Sequence, residues 1–242
     1  MNNTNNLYTD LSYDMERNRK NIKIINKNKD IKVLRNINYT TIFFNNYNNL
    51  DKVFSMELKR YLKKINNEKI LVVGLGNSNS TPDSLGPNTI NKILVTGYLN
   101  DLNGYSNVCC LSPGVVANTG IETSKIIKAI VKEIKITKLI VIDSLKTNNI
   151  NHLGKTIQIN NLGITPGSGI NNNRLEISKN TIGCDVIAIG IPTVVDIRNI
   201  NRSINNYIVT PTNIDYLIDV LSFILSQGIN ISLHKNFIRQ NN

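Results

Sequence analysis

The sequence predicts an α/β fold, a three-layer α/β/α sandwich with a mostly parallel sheet, and three observations predict it. The runs Lys69-Ile-Leu-Val-Val-Gly74, Leu139-Ile-Val-Ile-Asp143 and Val186–Ile191 are apolar without alternation, as strands buried on both faces must be. Segments of helical periodicity lie between such runs, and strands alternating with helices imply parallel pairing. The connections leave the strands through Gly, Pro and Asp, where open α/β sheets gather ligands and catalytic groups.

In chain order, residues 1–50 are rich in Asn and Lys. They show little periodicity beyond β-like pieces at Ile22–Ile25 and Tyr39–Phe44, so they read as a loosely packed N-terminal arm. Residues 51–242 read as one α/β domain. Asp51 opens a helix to Ile65, with Val53, Phe54, Leu58, Leu62 and Ile65 on one face. Pro87 suits the first turn of a helix running to about Leu99. Val108–Leu111 is a short strand. Thr119 and Glu122 have capping-box spacing before a helix whose Ile126, Ile127, Ile130 and Ile134 share a face. Thr156–Ile159 is a further strand, and Thr210-Pro211 begins a last helix to about Ser226. The Asn clusters between apolar segments read as loops.

Composition sets outer bounds. The 242 residues carry 28 Lys plus Arg against 17 Asp plus Glu, a net charge of +11, with 40% hydrophobic and 19% charged residues. That excludes wholesale disorder and a polyelectrolyte tail. The positive balance is compatible with nucleic acid or an anionic surface. Residues 1–69, however, hold 14 basic and 7 acidic groups, against 14 and 10 in the remainder, so most of the excess lies in the first quarter. The abundance of Asn, Ile and Lys is also what A+T-rich codons produce. Cys109, Cys110 and Cys184 are odd in number and lack a CxxC, which argues against a disulfide framework or thiolate zinc. MNNTNNLYTD shows no signal-peptide pattern, and the run Val186–Val195 contains Pro192 and is too short to span a bilayer. A reducing, cytoplasmic setting is the expectation.

Two strand exits end in acids. Gly74-Leu-Gly-Asn-Ser-Asn-Ser-Thr-Pro-Asp83 follows the first buried strand, and Asp143-Ser-Leu-Lys follows the second. On parallel neighbours Asp83 and Asp143 would emerge at one edge and could face each other. A close carboxylate pair keeps one proton between its members, so one serves as acid and the other as base. The alternative makes Asp83 a turn residue and Asp143 a strand-end cap. Gly74-Leu-Gly76 is not a dinucleotide fingerprint, because the third glycine position is Asn79 and no helix starts there. Gly76 and Asn77 therefore read as backbone turns beside a site loop. Ser112-Pro-Gly114 and Ile164-Thr-Pro-Gly167-Ser168-Gly169 could present N–H groups to a carbonyl oxygen, or be ordinary turns. Ser112, Ser144 and Ser168 lack a recognisable histidine partner. His152 and His234 read as surface residues, too few for a His-rich metal site.

Taken together, residues 70–87 (ILVVGLGNSNSTPDSLGP), 112–124 (SPGVVANTGIETS), 140–143 (IVID), 156–169 (TIQINNLGITPGSG), 186–196 (VIAIGIPTVVD) and 209–215 (VTPTNID) resemble, in order, the germination protease family. The resemblance covers roughly residues 70–235. It implies an atypical aspartic endopeptidase that degrades small acid-soluble spore proteins, with a fold similar to that of hydrogenase maturation proteases. The catalytic pair falls on Asp83 and Asp143, with no cofactor and no metal. Gly76, Asn77, Gly114, Gly167, Ser168 and Gly169 are supporting loop residues. The resemblance further implies a homotetramer in the forespore or spore core, and a zymogen that removes its own N-terminal piece. Tyr8-Thr-Asp-Leu-Ser-Tyr-Asp-Met15 is similar to the family's cleavage sequence, which places the cut between Leu11 and Ser12 and the propeptide at 1–11.

Two departures stand out. Only Ile197–Ile208 joins the Pro-Thr-Val-Val-Asp and Val-Thr-Pro motifs, where the family carries an insertion, and Thr165 stands where the family commonly has His. Two rival readings remain open on sequence. One is a metal-dependent hydrogenase-maturation-type endopeptidase using Asp83 and Asp143 as ligands. The other is a catalytically silent module that binds spore proteins or nucleic acid.

Overall fold

A computed structural model describes residues 22–63, 68–99, 101, 104–167, 174–196 and 207–237. Its centre is four parallel strands in the order β5-β4-β6-β8: β4 (Lys69–Gly74), β5 (Asn107–Leu111), β6 (Lys138–Thr147) and β8 (Asp185–Asp196). Beyond β8 the sheet continues antiparallel through β7 (Thr156–Asn160), β3 (Tyr39–Phe44), β2 (Ile31–Arg35) and β1 (Lys23–Asn26). The short β9 (Ile208–Val209) returns against Val195 and Asp196 of β8.

Each central strand feeds two cores, as unalternated apolar runs require. On one face Ile70, Val72, Ile140, Ile142 and Ile189 pack with α1 (Leu50–Leu62), α2 (Leu85–Ile90) and α6 (Ile214–Leu233). On the other, Leu71, Val73, Leu139, Val141 and Ala188 pack with α4 (Thr123–Glu133) and α5 (Lys179–Ile182). The short α3 (Val116–Thr119) precedes α4. The three-layer α/β/α arrangement is thus present, around a sheet that is parallel at its centre and antiparallel in its extension.

α6 is long and apolar enough to cross a bilayer by length and composition, yet 72% of its most apolar window is buried in the protein, as in a core helix. Gly228 lets it approach α1 closely: a Cβ there would lie 2.3 Å from Phe54 Cδ1.

Several local expectations change. Residues 23–44, expected within a loose arm, form a three-stranded meander docked on β7, with Ile31, Val33, Ile42 and Phe44 in the first core. The helix expected from Pro87 to Leu99 stops at Ile90. There Asn230 of α6 accepts from the Leu94 N–H at 2.9 Å and donates to Lys92 O at 3.2 Å, drawing the chain out of helical geometry. Thr119 does not open the next helix. Gly120, left-handed at φ 68, ends α3, and α4 begins afresh after Glu122. His234, expected at the surface, is buried against Tyr105, with Nε2 3.2 Å from Leu94 O. Burial holds its imidazole below the ordinary histidine pKa.

Part of the basic excess has a structural use. Glu57 is 1% exposed and lies 3.2 Å from Arg35, 3.1 Å from Arg60 and 3.8 Å from Lys27. A buried carboxylate needs such partners to remain charged.

Candidate active site

β4 and β6 are parallel neighbours, with Gly74 opposite Ile142 and the Leu75 N–H donating to Ile142 O at 2.8 Å. Both strand exits therefore reach one edge, and the loop leaving β4 begins one residue before Asp143 is reached on β6.

That loop is fixed by its own backbone. The Ser80 N–H donates to Asn77 O at 3.0 Å and the Asp83 N–H to Ser80 O at 2.8 Å, closing a 3-10 turn over Thr81–Asp83. Pro82 suits the first turn of such a helix. The Asn77 N–H donates both to Asp83 Oδ2 at 2.9 Å and to Asp83 O at 3.1 Å. Ser84 Oγ donates back to Thr81 O at 2.8 Å and accepts from Asn88 Nδ2 at 3.0 Å, tying the turn to α2. Gly76 makes the geometry possible. Its φ is 112, and a Cβ there would sit 1.9 Å from Asp83 O.

The turn packs against β6, β8 and α6. Asp143 lies on β6 with 7% of its surface exposed, and its Oδ1 accepts the Ser144 N–H at 2.9 Å. Burial first, and the neighbouring Asp83 charge second, push the Asp143 carboxyl up to about 8, against the stabilising Ser144 N–H. Burial also raises Asp83 above the ordinary carboxylate value, while the Asn77 N–H works in the opposite direction. The structure thus joins Gly76, Asn77, Asp83 and Asp143 in one constellation, with two carboxylates close enough to feel each other's charge and unequal in environment.

The other expected loop residues stand further off. Gly114, φ 72, follows β5 at the same edge, and its missing Cβ faces Thr119 Cγ2 at 3.9 Å. Gly167, φ 70, is in the loop after β7, which is tied to the start of α4 where the Leu175 N–H donates to Glu122 Oε1 at 3.1 Å. Neither glycine has a described bond to the carboxylates. Ser168 and Gly169, and Leu11 and Ser12, lie outside the described residues.

One pair leaves little trace in the sequence. Lys146 Nζ lies 2.8 Å from Asp196 Oδ2, both almost buried, three residues past Asp143. A Lys between Leu145 and Thr147 at a strand end is a weak local signal, and its partner lies fifty residues on. Among the described residues no group of three His, Cys, Asp or Glu side chains converges as a metal-binding set.

With this geometry in place, comparison with known proteins is decisive. The family model described as germination protease matches residues 40–208. The chain belongs to the germination protease family. It is accordingly a peptidase. The germination protease of Clostridium tetani is 38% identical, over 76% of this chain and 72% of the relative. That of Clostridium perfringens strain SM101 is 32% identical, over 83% and 79%. That of Oceanobacillus iheyensis is 47% identical, over 65% of this chain and 45% of the relative. Among solved structures, the [NiFe] hydrogenase maturation protease HycI from Thermococcus kodakarensis aligns with TM-score 0.39 and 16% identity, over 70% of this chain and 98% of its own. The germination protease match runs from β3 to β9, so it contains β4, the Asp83 turn, β6 and β8. It also begins within the meander rather than after it.

Proposed function

We propose that the chain is an aspartic endopeptidase that hydrolyses small acid-soluble spore proteins through Asp83 and Asp143. The observation that carries this reading is the inequality of the two carboxylates. Asp143, raised to about 8 by burial and by Asp83, holds its proton at neutral pH. Asp83 receives the Asn77 N–H on Oδ2 and is the member that ionises first. Asp83 then takes a proton from water as the water oxygen attacks the scissile carbonyl carbon. Asp143 donates its proton to the carbonyl oxygen, giving a tetrahedral diol. As the C–N bond breaks, a hydroxyl proton returns to Asp143 and the proton on Asp83 passes to the leaving nitrogen, regenerating both groups.

The test is to incubate the purified protein with a small acid-soluble spore protein, with and without chelator, and to sequence the fragments. Cleavage is expected in both conditions, with the rate falling roughly 10²–10⁴-fold in Asp83→Asn. Loss of cleavage on chelation would favour the metal-dependent reading, and full activity of Asp83→Asn would overturn the pair.

The same reading extends to assembly and maturation: a homotetramer of the forespore or spore-core cytoplasm, made as a zymogen that cuts itself between Leu11 and Ser12. Intact mass after acidification or dehydration is expected to show loss of residues 1–11. An unchanged mass beside active cleavage of the spore protein would sink the self-processing step alone.

A further inference from the structure

We propose that the cleft beside the β1–β2 hairpin is an exosite that binds an acidic segment of the polypeptide substrate, about six residues from the bond being cut. The proposal rests on the peptidase reading of Asp83 and Asp143.

The cleft has a volume of 710 Å³, and its walls include Lys29, Lys32, Lys155, Asp30, Leu34 and Phe43. All three lysines are exposed. Three ammonium groups against one carboxylate, over an apolar floor, suit a segment carrying several Asp or Glu with an apolar side chain among them.

Strand register connects the cleft to the catalytic edge. On β6, Ile140 and Ile142 enter the first core while Leu139, Val141 and Leu145 enter the second, so alternation turns Asp143 to the second side. On β2 and β3, Ile31, Val33, Ile42 and Phe44 enter the first core, so Lys32, Leu34 and Phe43 face the second side too. The second core contains no residue of β1, β2 or β3, so it does not roof this face of the meander.

One cross-strand row spans the interval. Leu145 pairs with Pro192, Phe43 with Thr156, and Lys32 with Phe43. The β7–β8 ladder ends at Gln158↔Gly190, and beyond it the Gly154 N–H donates to Pro192 O at 2.8 Å, which keeps the chain leading into Thr156 beside Pro192. Four strand spacings separate Leu145 from Lys32, about 19 Å, which an extended peptide covers in about six residues. The 3-10 turn Ile150–His152 stands alongside, its His152 ring edge-to-face with Phe43 at 5.4 Å.

The experiment uses the full chain and two peptides that share one cleavable bond. The short peptide ends within four residues of that bond. The long one continues for ten, with Asp and Glu from the sixth residue onward. Wild type is expected to cleave the long peptide with a KM at least tenfold lower. The Lys29→Glu, Lys32→Glu, Lys155→Glu triple variant should lose that advantage while keeping kcat and short-peptide cleavage within twofold. It should regain the advantage on a long peptide whose acids are replaced by Lys. Reversal of Lys125, Lys128 and Lys132 on α4, the same change in net charge elsewhere, should leave the advantage in place.

Binding is read separately by anisotropy of the labelled acidic ten-residue segment alone. Wild type should bind at least tenfold tighter than the triple variant, with the difference shrinking at high salt. Equal binding, or equal loss with the α4 reversal, overturns the exosite even if the short peptide is cleaved. Failure to cleave either peptide while the acidic segment still binds in a lysine-dependent way overturns the catalytic reading instead.

Discussion

Asp143→Asn is expected to abolish peptide-bond cleavage and, at pH 8, to raise the melting temperature. Asn keeps the shape and can still accept the Ser144 N–H, but it lacks the acidic proton that the proposed mechanism gives to the carbonyl oxygen. The stability effect follows from linkage. In the folded protein the Asp143 carboxyl titrates at about 8, whereas in the unfolded chain it titrates near 3.9. Between these values the folded state holds a proton that the unfolded state has released, so stability falls as pH rises through this window. A non-titrating Asn removes that slope. The gain should be small at pH 4 and grow by about 1.4 kcal/mol per pH unit towards pH 8, to roughly 5 kcal/mol, about 10–20 °C for a chain of this size. Calorimetry across this range checks it, and a variant melting lower than wild type at pH 8 would contradict the buried, protonated Asp143. On the proposed mechanism, kcat/KM of the wild type should decline above pH about 8, with the apparent values belonging to the pair. Activity undiminished at pH 10 would remove Asp143 as the acid.

Gly76→Ala should be nearly as damaging to activity, with the opposite effect on stability. The new Cβ would lie 1.9 Å from the Asp83 carbonyl oxygen, and the backbone is held at φ 112, which an L side chain rarely adopts. Strain and overlap together should cost about 3 kcal/mol, lowering the melting temperature by roughly 6–12 °C. Relief requires the Thr81–Asp83 turn to move outward, and a displacement of ~1 Å in a reacting group costs about 10²-fold in rate. The paired measurement is kcat at a temperature where circular dichroism shows the variant folded. Activity within threefold of wild type would show that Gly76 does not set the position of Asp83.

The readable parts of this molecule are those whose cause is local. β4, β6 and β8 announce themselves because burial on both faces leaves no room for polar alternation. Asp83 and Asp143 were legible because the strand-exit rule selects them before any likeness is considered, and β4–β6 pairing then brings their loops to one edge. What stayed hidden depends on distant partners. Ile31–Arg35 is too short and mixed to declare itself, and the meander becomes part of the sheet only by docking on Thr156–Asn160. The helix after Pro87 ends where Asn230 takes the Leu94 N–H, a competitor far along the chain. His234 is buried by the packing of Tyr105 and the segment around Leu94, which nothing near residue 234 foretells. The charge excess divides similarly: Arg35, Arg60 and Lys27 surround Glu57, a use that composition alone cannot distinguish from codon drift.

The docking of β3 on β7 also imposes an order on biosynthesis. Tyr39–Phe44 leaves the ribosome early, yet the strand that completes its ladder, Thr156–Asn160, follows more than a hundred residues later. At 5–20 residues per second that is a wait of roughly 6–24 s. During it, the open edge of β3 can recruit any extended chain nearby, including a neighbouring nascent copy. The hazard at this edge closes when Gln158 and Ile159 settle against Thr41 and Thr40. The arrival of that strand therefore sets how long this edge is exposed to aggregation.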